Sequence, residues 1–299
     1  MSKLDGKRVL VTGGAQGIGL EMAMKFASRG AEVVLADLNE SKLDEAKAKI
    51  EALGVATWGF PVDVSNPSSI ASLRARVAAE AGPIDVLVNN AGVVFGGAFL
   101  DTPLDQHFKT YEVNTLGVVA MTHAFLPDLI GRPEAHLVNI SSASGFIGLP
   151  FGSTYASSKW AVIGFSESIR SELELLGHAN VHVTIVCPSY IGTGMFKGAE
   201  APKTTRILEP DFVAEKVVEA VERNQVYVVE PWLVKITPLL RDLLPTKLSD
   251  KLGALFGVQT SMAHWTGRSG SKSQARAAET EATAEAKAKS ETASSGDRP

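Results

Sequence analysis

Short apolar runs alternate along the chain with longer stretches in which apolar residues return every three or four positions. The runs are 7–12 (KRVLVT), 31–36 (AEVVLA), 56–62 (ATWGFPV), 84–89 (IDVLVN), 135–141 (AHLVNIS), 181–187 (VHVTIVC) and 226–229 (VYVV). They are rich in Val and Ile and continuous rather than alternating, as strands covered on both faces should be. Helical patterns fill the gaps, at 17–29, 39–53, 66–81, 103–129, 155–176 and 210–224. Asn66-Pro67 and Glu209-Pro210 read as helix starts, Gly54 and Gly82 as stops. Strand–helix alternation of this kind predicts a doubly wound α/β domain, with a mostly parallel seven-stranded sheet and right-handed crossovers.

Beyond the last strand the pattern changes. Trp232, Ile236, Leu239, Leu240, Leu243 and Leu244 recur at helical spacing, and Leu248, Leu252, Leu255 and Phe256 resume it. Pro238 and Pro245 are expected to break this amphipathic run. It predicts a helical extension within 230–267. Three roles compete for it: a lid over a substrate cleft, a contact with a neighbouring subunit, or a layer on a membrane surface. Its nearly balanced charges disfavour the last. From Arg268 onward no large apolar residue occurs. Residues 268–299 are therefore expected to be a disordered polar tail, and 1–267 a single domain.

Composition narrows the function classes. The net charge is −4 and basic residues are scattered, so no nucleic-acid partner is expected. The single cysteine, Cys187, cannot form an internal disulfide. The start, MSKLDGKRVLVTGG, lacks a secretory layout, and no run of about 18 apolar residues suggests a membrane span. A cytoplasmic protein is the expectation. The six histidines lack metal-ligand spacing, so no metal site is expected; His178 and His182 read as surface or loop residues.

The turn TGGAQGIG at 12–19 follows the first strand and opens the first helix. A glycine-rich turn can simply be a tight corner. Here, backbone N–H groups and a helix N-terminus face the crevice where strand order should reverse, which suits a pyrophosphate. Gly13 and Gly17 would let it approach the backbone, and Gly19 would let the helix pack closely on the sheet. Asp37 ends the second strand, 18 residues beyond Gly19. It can accept from a ribose diol and would repel a 2′-phosphate, or it can be an ordinary helix N-cap. Neither Gln16 nor Leu38 is basic, and the cofactor expected is NAD rather than NADP.

Further motifs converge on this reading. They are Asn89-Asn90-Ala91-Gly92 after the fourth strand, Asn114 in the next helix, Ser142 in NISSASG, and Tyr155 and Lys159 in YASSK. Together with TGGAQGIG they resemble the short-chain dehydrogenase/reductase family over about residues 5–200. The resemblance implies a Rossmann-type NAD-binding domain and a catalytic set of Ser142, Tyr155, Lys159 and Asn114. It implies that Asp63 and Val64 bind adenine, and that Gln16, Ile18, Asn90, Ala91 and Gly92 line the cofactor crevice. The segment from Cys187-Pro188 through Ile191 to Thr193 is implied to bind the nicotinamide carboxamide. The family usually has Pro-Gly there; this chain has Pro188-Ser189. Ser142 fits the triad spacing better than Ser141. Asn114 is implied to hold a water that links the lysine to solvent. The resemblance also implies a homodimer or homotetramer built on the helices 103–129 and 155–176, through residues such as Val118, Val119, Met121, Phe125 and Trp160. Alternatively these residues only cover the sheet.

Tyr155 and Lys159 are i and i+4 on one helix and share a face. A free tyrosine, with a pKa of about 10, is scarcely ionised at neutral pH, and a neighbouring ammonium would stabilise its phenolate. Tyr155 is thus expected to act as general base toward an alcohol, Ser142 to hold the substrate oxygen, and Lys159 also to bind the nicotinamide ribose. Alone, a Tyr-x-x-x-Lys pair is usually a solvated helix face. Phe95, Phe146, Ile147, Leu149, Phe151, Tyr190, Met195 and Phe196 are expected near the site, with Glu200 and Lys203 the nearest charges. An apolar alcohol or ketone is the expected substrate. A weaker likeness points to the retinol and hydroxysteroid dehydrogenases. The alternatives are an NADPH-dependent ketone or 3-oxoacyl reductase, and an NAD-binding sensor without turnover.

Overall fold

The computed structural model describes residues 2–202 and 205–267. The expected tail, 268–299, and Lys203 lie outside them. Seven strands, β1 (Arg8–Thr12), β2 (Glu32–Asp37), β3 (Thr57–Pro61), β4 (Val86–Asn89), β5 (Ala135–Ile140), β6 (Val181–Pro188) and β7 (Tyr227–Glu230), form one sheet in the order β3-β2-β1-β4-β5-β6-β7. Every pairing is parallel. The order reverses between β1 and β4, so a crevice opens there at the strands' C-terminal ends.

Strand pleating sorts the apolar runs onto two covered faces. Val9, Val11, Val33 and Leu35 join one core with Phe26 of α1 (Gly17–Ala27), Leu43 of α2 (Glu40–Glu51) and Val217 of α7 (Pro210–Glu222). Leu10 and Val34 point the other way. They meet Leu73 of α3 (Pro67–Arg76), Phe125 of α5 (Gly117–Ile130) and Leu173 of α6 (Ser153–Leu175). Because both faces are buried, the strands carry no polar alternation. His182, expected in a surface or loop position, lies within β6. Its ring sits 5.2 Å from that of buried His136, whose pKa burial pushes down to about 4.

The pattern at 103–129 is not one helix. It divides into α4 (Leu104–Tyr111), a π-turn at Glu112–Leu116, and α5. The π-turn turns Asn114 fully inward, a common device at functional positions. By length and mean hydropathy, the run Leu104–Ile130 does reach the range of a membrane span, contrary to the expectation that no segment would. In the fold its apolar side is core: Val118, Met121 and Phe125 are buried against the sheet. Only Val119 of the expected contact residues on this run is exposed, and Trp160 of α6 is exposed with it.

In the extension, a 3-10 turn at Trp232–Ile236 leads to α8 (Thr237–Leu243) and α9 (Thr246–Leu255). Pro238 does not interrupt a helix; it sits in the first turn of α8, where no N–H is needed. Pro245 does separate the two helices. Both leave large apolar residues in solvent, including Leu239, Leu243 and Leu255. The segment that covers the domain comes later, at 258–267. Its Met262 and Trp265 are buried against Val94, Leu149 and Tyr155.

The glycine turn is locked by backbone packing. A Cβ at Gly19 would overlap the Gly13 carbonyl and crowd Asn90 Nδ2. Alanine normally favours a helix over glycine by up to about 1 kcal/mol. Here the clash with backbone dominates, so Gly19→Ala should lower Tm by about 5 °C or more. A thermal melt checks this; an unchanged or raised Tm would contradict the packing.

Candidate active site

The crevice at the switch point holds a cavity of about 350 Å³. Its floor is the turn between β1 and α1. Gly13 and Gly17 have φ values of +63° and +58°, which non-glycine residues rarely adopt. A Cβ at Gly13 would press on Ala91 and Asn90. Gly13 is thus required by the neighbouring turn as well as by any ligand. Asn90 ties the two turns together, donating from Nδ2 to the carbonyls of Thr12 and Gly13. No side chain caps the N-terminus of α1, and Gly13, Gln16 and Ile18 line the cavity there. An uncapped helix end on a cavity is a ready anion site.

Asp37 forms the next stretch of wall and is buried. It does not cap α2; Asn39 does. Its carboxylate accepts from Ala15 N at 3.0 Å and Asn39 N at 3.0 Å. This fixes the glycine turn against β2 and leaves acceptor sites unused. Farther along, Asp63 and Val64 line the cavity. Burial raises the Asp63 pKa, but the Ser65 hydroxyl and backbone N–H and the nearby Lys109 outweigh it and hold the carboxylate below its ordinary range. Lys109 Nζ donates to Ser65 Oγ at 2.6 Å and lies 3.7 Å from Asp63 Oδ2. Lys109 lines the cavity and is not marked by any sequence motif, because helical spacing alone does not bring α4 to the loop after β3. Lys42 was missed too; it donates to Gln16 Oε1 at 2.6 Å.

At the opposite end stand Ser142, Tyr155 and Lys159, all buried and all on the cavity wall. Ser142 stands beside the Tyr155 hydroxyl and favours its ionised form. Ser141, its neighbour, donates to Lys159 O. Lys159 Nζ donates to Ile140 O at 2.9 Å and lies 5.8 Å from the Tyr155 ring centroid. Burial dominates both titrations. It raises the Tyr155 pKa well above its ordinary value, an effect the Ser142 bond only reduces. It pushes Lys159 down to about 8. The expected stabilisation of a phenolate by Lys159 is absent from the balance at Tyr155: in the protein alone, this tyrosine is a neutral phenol.

Asn114 is wholly buried beside them. Its Oδ1 accepts from Val93 N, and its Nδ2 donates to Val93 O and Ser158 Oγ. The side chain therefore clamps the turn after β4. Ala91, Gly92, Pro188, Ile191 and Thr193 complete the cavity wall, so every sequence-derived position except Gly17, Gly19 and Asn114 lines it directly. These three act on the backbone around it. The chemistry of this donor set fits a nicotinamide dinucleotide: an uncapped helix end for phosphate, buried Asp37 for a diol, and Lys159 with spare N–H donors near the strand ends.

A second cavity of about 110 Å³ adjoins the first. Ser142, Tyr155, Ser189 and Phe196 belong to both walls. Of the residues expected near the site, Ile147, Leu149, Tyr190 and Phe196 line it and Met195 lines the first cavity, whereas Phe95, Phe146 and Phe151 line neither; Val234, Val258 and Ser261 join from the extension. The segment 258–267 is strapped down by Thr266 N to Lys197 O at 2.8 Å and Trp265 Nε1 to Met195 O at 3.0 Å.

Comparison with known proteins agrees with the fold. The sequence model of the short chain dehydrogenases matches residues 7–204. Epidermal retinol dehydrogenase 2 of Mus musculus is 35% identical over 266 residues, 88% of this chain and 86% of that protein. Estradiol 17-beta-dehydrogenase 11 of Homo sapiens is 36% identical over 266 residues, 86% of this chain and 88% of that protein. A short chain dehydrogenase/reductase from Burkholderia phymatum, solved in complex with NAD, superposes with a TM-score of 0.75 at 27% identity, covering 81% of this chain and 95% of that one. On this match of sequence and fold, the chain belongs to the short-chain dehydrogenase/reductase family of oxidoreductases, with similarity to its retinol and hydroxysteroid dehydrogenases.

Proposed function

We propose that the chain is an NAD-dependent dehydrogenase that interconverts apolar alcohols and their carbonyl products. The observation that carries this reading is the placement of buried Ser142, Tyr155 and Lys159 on the wall shared by, or next to, two cavities. The first cavity runs along the uncapped helix end and Asp37, and the second is lined by apolar side chains interspersed with hydroxyls. A bound nicotinamide would supply or accept the hydride. The side chains handle the proton. The neutral phenol of Tyr155 suits a general acid toward a carbonyl oxygen. Ser142 gives that oxygen a second hydrogen bond. Lys159 uses one N–H on Ile140 O and keeps two for cofactor hydroxyls and for stabilising charge on Tyr155. In the oxidative direction Tyr155 must lose its proton first, so alkaline pH favours it. Low water access around the reacting atoms follows from the strap over the second cavity.

The same reading includes a two-fold contact across α4, α5 and α6, giving a homodimer or homotetramer. Exposed Leu104, Phe108, Val119 and Trp160 support it. A second reading, an NADP-dependent reductase, has Lys42 in its favour, since its ammonium stands beside Gln16 at the Asp37 end. Asp37 weighs more, because it is the buried wall and Lys42 is in solvent.

Three outcomes are expected. A 2′-phosphate against buried Asp37 costs a few kcal/mol, so kcat/KM for NAD should exceed that for NADP by roughly a hundredfold. Asp37→Ala should narrow the gap, and equal efficiency in the native protein would remove the NAD assignment. Tyr155→Phe keeps the ring and loses the proton; turnover should drop by about 10²–10⁴ while NAD affinity, read by calorimetry, stays near native. Retention of most activity would end the proposed role.

The third concerns Lys159. Its pKa is about 8 folded and 10.5 as a free group. Below pH 8 both states are charged and burial destabilises the fold; as pH rises toward 10.5 the folded state is already neutral and the penalty fades. The full penalty is at most about 3 kcal/mol. Lys159→Met should therefore melt higher than the native protein at pH 7, with the difference vanishing only above pH 10.5. A difference independent of pH would show that the lysine is not depressed.

A further inference from the structure

The second cavity carries a polar feature that proton transfer at Tyr155 does not use. Tyr190 and Ser261 both line it, away from the reacting groups. They come from opposite sides: Tyr190 follows β6, and Ser261 belongs to the strap. The surroundings are apolar, with Phe196 edge-on to Tyr155 at 5.8 Å and edge-on to Tyr190 at 5.2 Å. Phe196 thus stands between the reacting tyrosine and the second one. Ser261 is 2% exposed, and its backbone carbonyl is held by Glu200 N at 2.8 Å. The position of its hydroxyl is fixed.

The hydrogen bonds of this pair have a forced direction. Ser261 Oγ lies 2.8 Å from the Val258 carbonyl, which can only accept, so Ser261 donates its one proton there. Tyr190 Oη lies 2.8 Å from Ser261 Oγ and must then donate its own proton to it. Burial raises the Tyr190 pKa, which keeps that proton in place. Both protons are spent inside the protein. What the pair can still offer is lone pairs, on Tyr190 Oη and Ser261 Oγ. The pair is an acceptor with no donor to give.

We infer that Tyr190 and Ser261 form a distal subsite that selects substrates carrying a second hydroxyl. The preferred substrate is an apolar alcohol or ketone whose reacting oxygen sits at Ser142 and Tyr155 and whose remote hydroxyl donates to the pair. A remote carbonyl placed against this pair finds no donor on it unless the bond to Val258 breaks, and a remote hydrogen leaves the lone pairs unmet. This deepens the dehydrogenase reading and rests on it. The bond between Tyr190 and Ser261 also ties the strap to the loop after β6, and a purely mechanical tie would be indifferent to what the substrate carries.

The test uses the full chain with three matched cyclic secondary alcohols that differ only at the remote carbon, which bears a hydroxyl, a carbonyl oxygen or hydrogen. The kcat/KM of each is measured with NAD, and its dissociation constant by quenching of intrinsic tryptophan fluorescence. The hydroxyl compound should be favoured roughly tenfold, with the other two close together. In Tyr190→Phe the hydroxyl advantage should shrink to within about twofold. In Ser261→Ala the Tyr190 proton is released and can be given to a carbonyl, so the remote-carbonyl compound should rise to within about twofold of the hydroxyl compound while the hydrogen compound stays behind. Equal use of all three by the native protein, or a native order unmoved by both substitutions, would overturn the subsite. Binding in the expected order without turnover would sustain the subsite and remove the dehydrogenase reading. Turnover of all three without discrimination would do the reverse.

Discussion

Desolvation of a phenol and an ammonium on one helix face is the constraint around which the site is organised. Tyr155 and Lys159 lie one turn apart on α6, buried against the ends of β5 and β6. Removing water disfavours both charged forms, raising the tyrosine pKa and lowering that of the lysine to about 8. Burial thus favours the neutral form of each group, the state the proposed proton transfer starts from. It also weakens the fold around it, a common cost of functional sites. Hydrogen bonds limit that cost. Ile140 takes one lysine proton, and Ser142 meets the phenol.

The rest of the architecture serves this placement. An all-parallel sheet covered on both faces puts every strand's C-terminal end on one edge. Along that edge the chain sets a glycine turn, a buried carboxylate at Asp37, a clamp at Asn114 and the pair on α6. Each depends on the next: Asp37 holds Ala15, Asn90 holds Thr12 and Gly13, and Asn114 holds Val93. The last piece is the strap at 258–267, which brings an apolar wall and one hydroxyl over the second cavity. Close packing at Gly96 against Trp265, and at Gly198 against His264, shows how tightly it is seated. In contrast, α8 and α9 keep apolar residues in solvent; of this stretch only Val234, in the turn before α8, and Thr237, at its start, line that cavity.

How much of this could be read in the chain follows from which forces are local. Strand runs were legible because burial on both faces removes polar positions, so β1, β2 and β6 stand out as Val- and Leu-rich stretches. The glycine turn, Asp37 and the Ser142, Tyr155 and Lys159 spacing were legible because each sits at a strand end or on one helix face, where spacing sets position. The π-turn at 112–116 was not, since one extra residue in a helical turn leaves the apolar period nearly intact. Lys109 and Lys42 reach the cavity only through the arrangement of whole helices. The strap was misplaced by about a helix's length. The amphipathic run at 232–256 advertises itself, whereas Trp265 is held by a long-range hydrogen bond to Met195 O and Met262 by apolar contacts, with no period. The direction of the Tyr155 shift also escaped, because an i, i+4 lysine suggests stabilisation of a phenolate and only full burial shows that desolvation wins.

The claim that the site moves a hydride between an apolar alcohol and NAD is tested most directly by isotope transfer. A secondary apolar alcohol deuterated at its carbinol carbon is incubated with the enzyme and oxidised NAD at alkaline pH, and the reduced cofactor is examined by mass spectrometry. Transfer of the carbinol deuterium to the cofactor, with the matching ketone formed in equal amount, is the predicted result. Reduced cofactor without deuterium, or ketone formed with no reduced cofactor, would contradict the account.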